Sequence, residues 1–349
     1  MKRYLSLLLV LPIGLYAACG HKSGSETTTD PTTPGEKPVD PNPPPTPGSS
    51  GAPGTSDDLT KNPIEGIAPA AVILDTGAFT DGPIWSAKEE VLFFTTPLGE
   101  GGLYRMKDDG ATMKVLDGDR VSGALPIGNT IDKTGQLIRV EAKRLMRGTA
   151  GGDAGPVTEI ASTFPSEGGV LPFDTLNDAV ISPTGTIYAT DPGYFTEPIA
   201  NRIYRITPGG VVSVVEEFLD VPRPNGIALS PDAKLLYVGF SAPGLGTKPV
   251  IRKYHVQPDG SIGEHGKFVE LELESQPDGV EVDKAGNVYV ANKAGVTVFK
   301  SDGSKIGVVA IPEQPTGMAF GGKNLKTLYV TTQGTKIFEL HVNVPGIVQ

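Results

Sequence analysis

The chain has 349 residues, a single cysteine and a formal net charge of −10. One cysteine excludes a disulfide within the chain and a structural zinc site built on several thiolates. The acidic balance, with Lys and Arg scattered rather than clustered, argues against nucleic acid and anionic lipid as partners.

At the N-terminus Lys2 and Arg3 precede an apolar stretch from Tyr4 to Ala18. That stretch is shorter than the roughly 18–20 apolar residues a spanning helix needs, and it ends in small residues before Cys19. Residues 1–18 are therefore predicted to be an export signal. Leu15-Tyr16-Ala17-Ala18-Cys19-Gly20 resembles a bacterial lipoprotein box, with Tyr16 where the box usually has Leu. The resemblance implies that Cys19 is lipidated and holds the chain to a membrane of a bacterial envelope, on the periplasmic side or the outer surface. Residues 19–66 are dense in Pro, Gly, Ser and Thr, as in Asn42-Pro43-Pro44-Pro45-Thr46-Pro47-Gly48. Too few apolar side chains are present there to offset the entropy of ordering, so this segment is predicted to be a disordered tether.

Residues 67–349 alternate short runs of Val, Ile, Leu, Tyr and Phe with Gly, Pro, Asp and Asn, which is all-β texture. One run recurs six times: Val91-Leu92-Phe93-Phe94, Gln136-Leu137-Ile138-Arg139-Val140, Thr186-Ile187-Tyr188-Ala189, Leu235-Leu236-Tyr237-Val238, Asn287-Val288-Tyr289-Val290 and Thr327-Leu328-Tyr329-Val330. A second run follows each copy after a polar gap, for example Ile203-Tyr204-Arg205 and Ile337-Phe338-Glu339. A unit of several antiparallel strands repeated in this way predicts a six-bladed β-propeller, with an open stack of sheets as the alternative. Closure is favoured because Ala71-Val72-Ile73-Leu74, ahead of the first unit, can pair with the last one.

Just before the first strand of the units stand Asp81, Asn129, Asn177, Asn225 and Asp278, spaced by 48, 48, 48 and 53 residues. Any one of them could serve only a turn, as Asp259-Gly260 and Asp302-Gly303 are expected to do between strands. A recurrent oxygen-bearing side chain at one phase of a ring instead points to convergence on the central channel. Carboxylates and amide oxygens together suit Ca²⁺, which takes 6–8 oxygen ligands in irregular geometry. The four histidines, His21, His255, His265 and His341, fall outside that phase. No Gly-x-Ser-x-Gly elbow, Walker-type loop or His-Glu-x-x-His pattern occurs, which removes the common serine hydrolase, nucleotide and zinc protease signatures.

These same residues carry a resemblance to the senescence marker protein/gluconolactonase family, also called regucalcin-like, of six-bladed propeller hydrolases. The matching stretches are Asp81-Gly82-Pro83-Ile84-Trp85, Gly128-Asn129-Thr130-Ile131-Asp132, Leu176-Asn177-Asp178 with Thr190-Asp191-Pro192, Pro224-Asn225-Gly226-Ile227 and Pro277-Asp278-Gly279. The resemblance implies a central metal site formed by Asp81, Asn177, Asn225 and Asp278. Ca²⁺ is the expected ion, with Mg²⁺, Mn²⁺ or Zn²⁺ as alternatives. It further implies hydrolysis of a lactone or related ester, with the cation polarising the carbonyl and Asp278 acting as base or nucleophile. Two departures stand out: Asp81 occupies the place of a family glutamate, and Thr175 that of an arginine frequent in the family's lactonases. Asn129 and Thr175 are expected to line the substrate pocket. The expected partner is a small-molecule lactone or ester; no nucleic acid partner is expected, membrane contact is through the N-terminal lipid only, and the chain is expected to be a monomer. The rival reading is a non-catalytic, surface-tethered propeller that binds a ligand or partner protein.

Overall fold

A computed structural model of the chain describes residues 57–98, 101–107, 110–118, 125–149, 157–194, 200–219, 223–241, 248–273 and 275–347. The expected signal segment, Cys19 and residues 19–56 lie outside the described residues. Every regular element among the described residues is a strand.

Six four-stranded antiparallel sheets follow one another along the chain as blades. The six recurrent apolar runs become the second strands of the blades, as in Val91–Thr95, Leu235–Ser241 and Thr327–Thr332. These strands are buried on both faces, so they read as continuous apolar runs rather than as alternating ones. All five residues of Val91–Thr95 are buried. Asp259-Gly260 and Asp302-Gly303 are hairpin turns as expected: each aspartate accepts from the backbone N–H two residues on, at 2.9 and 2.8 Å, and each glycine has positive φ.

The core is distributed between neighbouring blades. Tyr204 and Ile206 of blade three pack on Ile138 and Val140 of blade two, and Phe338 and Val330 of blade six on Val296 and Val298 of blade five. The first strands of the blades touch one another in a ring around the channel. Blade six is completed by Ala71–Asp75, which pairs antiparallel with Lys336–His341 in the register Ala71↔Glu339 to Asp75↔Lys336. The ring is thus closed by joining the start of the folded unit to its end, as expected from the sequence.

Two features were not anticipated. A small hairpin, Thr163–Ser166 with Gly169–Pro172, stands between blades two and three. Phe164 within it and Phe173 just after it have rings that lie 5.1 and 4.8 Å from that of Tyr204. In addition, residues 57–66 of the expected tether are docked on the ring: Asn343 Nδ2 donates to the carbonyls of Asn62 and Glu65, both at 2.9 Å, and Asp57 pairs with Lys326 at 3.3 Å.

Candidate active site at the channel mouth

The strand registers define which residues are equivalent from blade to blade. Ile84, Asn129, Ala179, Ile227, Val280 and Met318 pair with Phe93, Arg139, Ala189, Val238, Val290 and Val330 of the adjacent second strands. Two residues earlier stand Gly82, Ile127, Asn177, Asn225, Asp278 and Thr316. Only Asn177, Asn225 and Asp278 of the five recurrent residues therefore share one structural position. Asp81 comes one residue before it and Asn129 two after it, and the equal spacing in sequence conceals the offset.

β-Bulges interrupt the ladder beside this position in blades one, two, four and six. The ladder shifts between Asp81 and Ile84, Pro126 and Asn129, Pro224 and Ile227, and Pro315 and Met318. A bulge adds local twist and re-aims the side chains beside it. Glycines permit the tight packing this requires. A Cβ on Gly82, whose φ is +48°, would sit 2.0 Å from the carbonyl oxygen of Ile127, and one on Gly226 would sit 2.3 Å from that of Asp278. Blade is then tied to blade: Gly226 N–H donates to Asp278 O at 3.0 Å, and Gly279 N–H to Thr316 O at 2.6 Å. Thr95 Oγ1 donates to Ile127 O at 2.6 Å, and Thr190 Oγ1 to Asn225 O at 2.7 Å.

Asp81, Asn129, Asn177, Asn225 and Asp278 all line one cavity of about 40 Å³ in the ring of first strands. That is room for about three water-sized groups. Asp81 accepts from the Gly82 N–H at 2.9 Å, and burial pushes its carboxyl up to about 7. Asp278 is driven well above the usual carboxylate range by burial first and then by repulsion from Asp81 and Asp178, opposed by a hydrogen bond from Asn225. The Oδ1 atoms of Asn225 and Asn129 are buried without a hydrogen-bond partner, although Asn129 Nδ2 donates to Gly82 O at 2.7 Å. Buried oxygens with unused lone pairs beside mutually repelling carboxylates form an oxygen-rich donor set suited to a hard cation. Among the described residues no three His, Cys, Asp or Glu side chains form a ligand cluster, so a cation here would need the asparagine oxygens.

Thr175 is not part of this cavity. It is buried, its N–H donates to Asp191 Oδ1 at 2.8 Å, and its hydroxyl lies 3.3 Å from Asp174 Oδ2. Its backbone N–H and its hydroxyl are thus both engaged within the protein.

Sequence reasoning passed over two acidic residues that do line the cavity, Asp178 and Glu281. Asp178 occupies the place of the glycine in Asn225-Gly226, Asp278-Gly279 and Thr316-Gly317, and that break in the pattern was the signal available. Its carboxylate accepts from Ala179 N–H at 2.8 Å and Ile227 N–H at 3.3 Å, bracing blade three against blade four. Burial, reinforced by Asp81, pushes it up to about 7. Glu281, deeper along the first strand of blade five, is pushed up to about 8 by burial and then by Asp178.

Residues 79–334, which contain all six blades apart from the closing strands, match the SMP-30/Gluconolactonase/LRE-like region. The chain belongs to the SMP-30/gluconolactonase/LRE-like family. Relatives in this family include a pentonolactonase of Haloferax volcanii, 27% identical over 269 residues that cover 75% of this chain and 84% of the relative. A gluconolactonase of Zymomonas mobilis is 26% identical over 285 residues, covering 75% of this chain and 78% of that protein. Among solved structures, a gluconolactonase of Xanthomonas campestris superposes with a TM-score of 0.68 at 22% identity, over 80% of this chain and 91% of that one. At that identity the superposition speaks for the shared propeller fold.

Proposed function

We propose that this member of the SMP-30/gluconolactonase/LRE-like family is a Ca²⁺-dependent hydrolase of lactones or related esters. The observation that carries the reading is the convergence of Asp81, Asn177, Asn225 and Asp278 on one buried, oxygen-lined cavity in the channel. These four residues would hold the cation, and the unpartnered Asn225 Oδ1 and the repelling carboxylates of Asp81 and Asp278 fit it. When bound, the cation supplies Lewis-acid polarisation of the substrate carbonyl and stabilises the developing oxyanion. The names of the pentonolactonase and gluconolactonase relatives support a lactone as the substrate.

In this reading Asp278 takes a proton from water as the water oxygen bonds to the acyl carbon. The acyl carbon–ring oxygen bond then breaks, the leaving alkoxide takes up a proton, and the product is the open hydroxy acid. Asn225, donating to Asp278, orients that carboxylate, and Asn129 lies beside the reacting group. The cavity also needs Asp178, whose two backbone bonds hold the strands that present Asn177 and Asn225.

The test is lactone opening by purified protein loaded with Ca²⁺, measured before and after chelation, together with Asp278→Asn. Activity is expected to vanish on chelation and to fall by roughly 10²- to 10⁴-fold in the variant, the usual range for a general base. Retention of most of the wild-type kcat by Asp278→Asn would reject the base assignment. A folded, metal-loaded protein inert toward lactones and aryl esters would establish the binding-module reading instead. The proposed envelope location is tested separately: Cys19→Ser should release the protein from membranes, and unchanged membrane association would reject lipidation at Cys19.

A further inference from the structure

Arg223 opens the first strand of blade four, Arg223–Leu229, two residues ahead of Asn225. It pairs with Ser241, whose Oγ donates at 3.3 Å to the carbonyl of Pro277, the residue before Asp278. Arg223 therefore stands at the rim of the cavity, on the side where Asn225 and Asp278 meet. Its Nε is buried and has no hydrogen-bond partner. Its guanidinium carbon lies 5.1 Å from the ring centre of Tyr194.

Tyr194 ties this pair to the cavity. Its phenol is pushed up to about 12 by burial and then by Asp278, with Asp81 adding to the rise and Arg223 opposing it. Stacked beside the Arg223 guanidinium, the phenol keeps its proton at neutral pH and is a second donor next to it. Nearly half of Tyr194, 46%, remains open to solvent, so the approach to the pair is not closed off.

A guanidinium held against an aromatic face keeps its edge available for in-plane hydrogen bonds, and the natural mate of that edge is a planar carboxylate. A buried, unpaired Nε–H is costly unless a ligand completes it. We propose that Arg223, aided by the Tyr194 hydroxyl, recognises a carboxylate carried by the substrate, so that the protein acts on lactones bearing a second, free carboxyl group. This rests on the hydrolase reading above and adds the substrate class to it. Holding the carboxylate at this rim also sets the orientation in which the lactone carbonyl enters.

The experiment compares two lactones of one sugar skeleton, glucono-lactone, which is neutral, and glucaro-lactone, which carries the carboxylate. Both are assayed with full-length, Ca²⁺-loaded wild type, Arg223→Lys and Arg223→Gln. Wild type is expected to favour the carboxylated lactone, and in Arg223→Gln that kcat/KM ratio is expected to fall by roughly 10- to 100-fold, the scale of a lost charge-assisted hydrogen bond. Arg223→Lys restores only part of the ratio, because an ammonium lacks the planar fork. An unchanged ratio in both variants overturns the proposal while leaving the hydrolase reading intact. If wild type opens neither lactone, the hydrolase reading fails and calorimetry with glucarate and the uncharged polyol glucitol decides the carboxylate recognition. Preferential glucarate binding that Arg223→Gln abolishes supports it, and equal binding overturns it. Melting temperatures of the variants control for folding.

Discussion

At the residue scale, the cavity is governed by like charges held out of water. Asp81 raises the proton affinity of Asp278, and a divalent cation would relieve that repulsion. On the proposed ligand set, Asp81→Ala would remove one of two negative ligands and is expected to weaken Ca²⁺ binding roughly 10- to 100-fold, as read by calorimetric titration of metal-stripped protein. Asp81→Glu is expected to fall between alanine and wild type, because Gly82 already abuts Ile127 and leaves the backbone no room to accommodate a longer side chain. Unchanged affinity in the alanine variant would remove Asp81 from the ligand set. Glu281 yields a pH prediction. Its folded carboxyl titrates near 8, well above the ordinary value of 4.5, so the native state binds the proton more tightly than the unfolded chain. Stability from this group is therefore complete below about pH 4.5 and declines as pH rises through 8. Glu281→Gln does not titrate, so in metal-free protein it should gain on wild type across that window, by on the order of 1–3 kcal/mol. Parallel melting-temperature profiles for the two proteins from pH 5 to pH 8 would contradict this.

At the element scale, the bulged starts of the first strands do two jobs: they aim polar side chains into the channel and let adjacent blades touch backbone to backbone. Gly226 is a clear case, since the steric conflict of a Cβ there is with the Asp278 carbonyl rather than with a side chain that could move. Gly226→Ala is expected to lower stability by about 1–3 kcal/mol and to disturb the adjacent Asp278. Gly266, in the outer strand of blade four, has open space where a methyl group would stand and serves as the control: Gly266→Ala should leave the unfolding midpoint nearly unchanged. Denaturant titration of the pair reads both, and equal effects would refute the close-packing account. The sequence showed glycines at these places and their association with Asp and Asn. It did not show that Asn177-Asp178 breaks the pattern in order to brace blade four, because that requires knowing which N–H groups lie across the blade boundary.

At the scale of the whole molecule, closure depends on one short strand brought from the far end of the folded unit. Removing residues 71–75 would uncover the Lys336–His341 edge and part of the apolar contact made by Ile73 and Leu74 against blades one and six. A chain starting at residue 76 is expected to melt lower and to self-associate through the exposed edge, measured by thermal unfolding and size-exclusion chromatography. A monomer of unchanged stability would show the closing strand to be dispensable. The all-β class, the sixfold repeat and the closing strand were legible in the sequence, because a strand buried on both faces must be apolar along its length and each blade needs the same run. Asn177, Asn225 and Asp278 were legible for the same reason: they recur at one true position of the repeat. The phase of Asp81 and Asn129 was not, since sequence spacing does not show ladder partners, and only the strand pairing reveals that Asp81 stands one residue before that position and Asn129 two after it. Nor could the sequence place Thr175 against Asp191, or bring the Arg223 guanidinium onto the ring of Tyr194. The first contact ties the lead into blade three to that blade's second strand and the other joins neighbouring blades; which side chains meet in this way is decided only by the folding and closure of the ring.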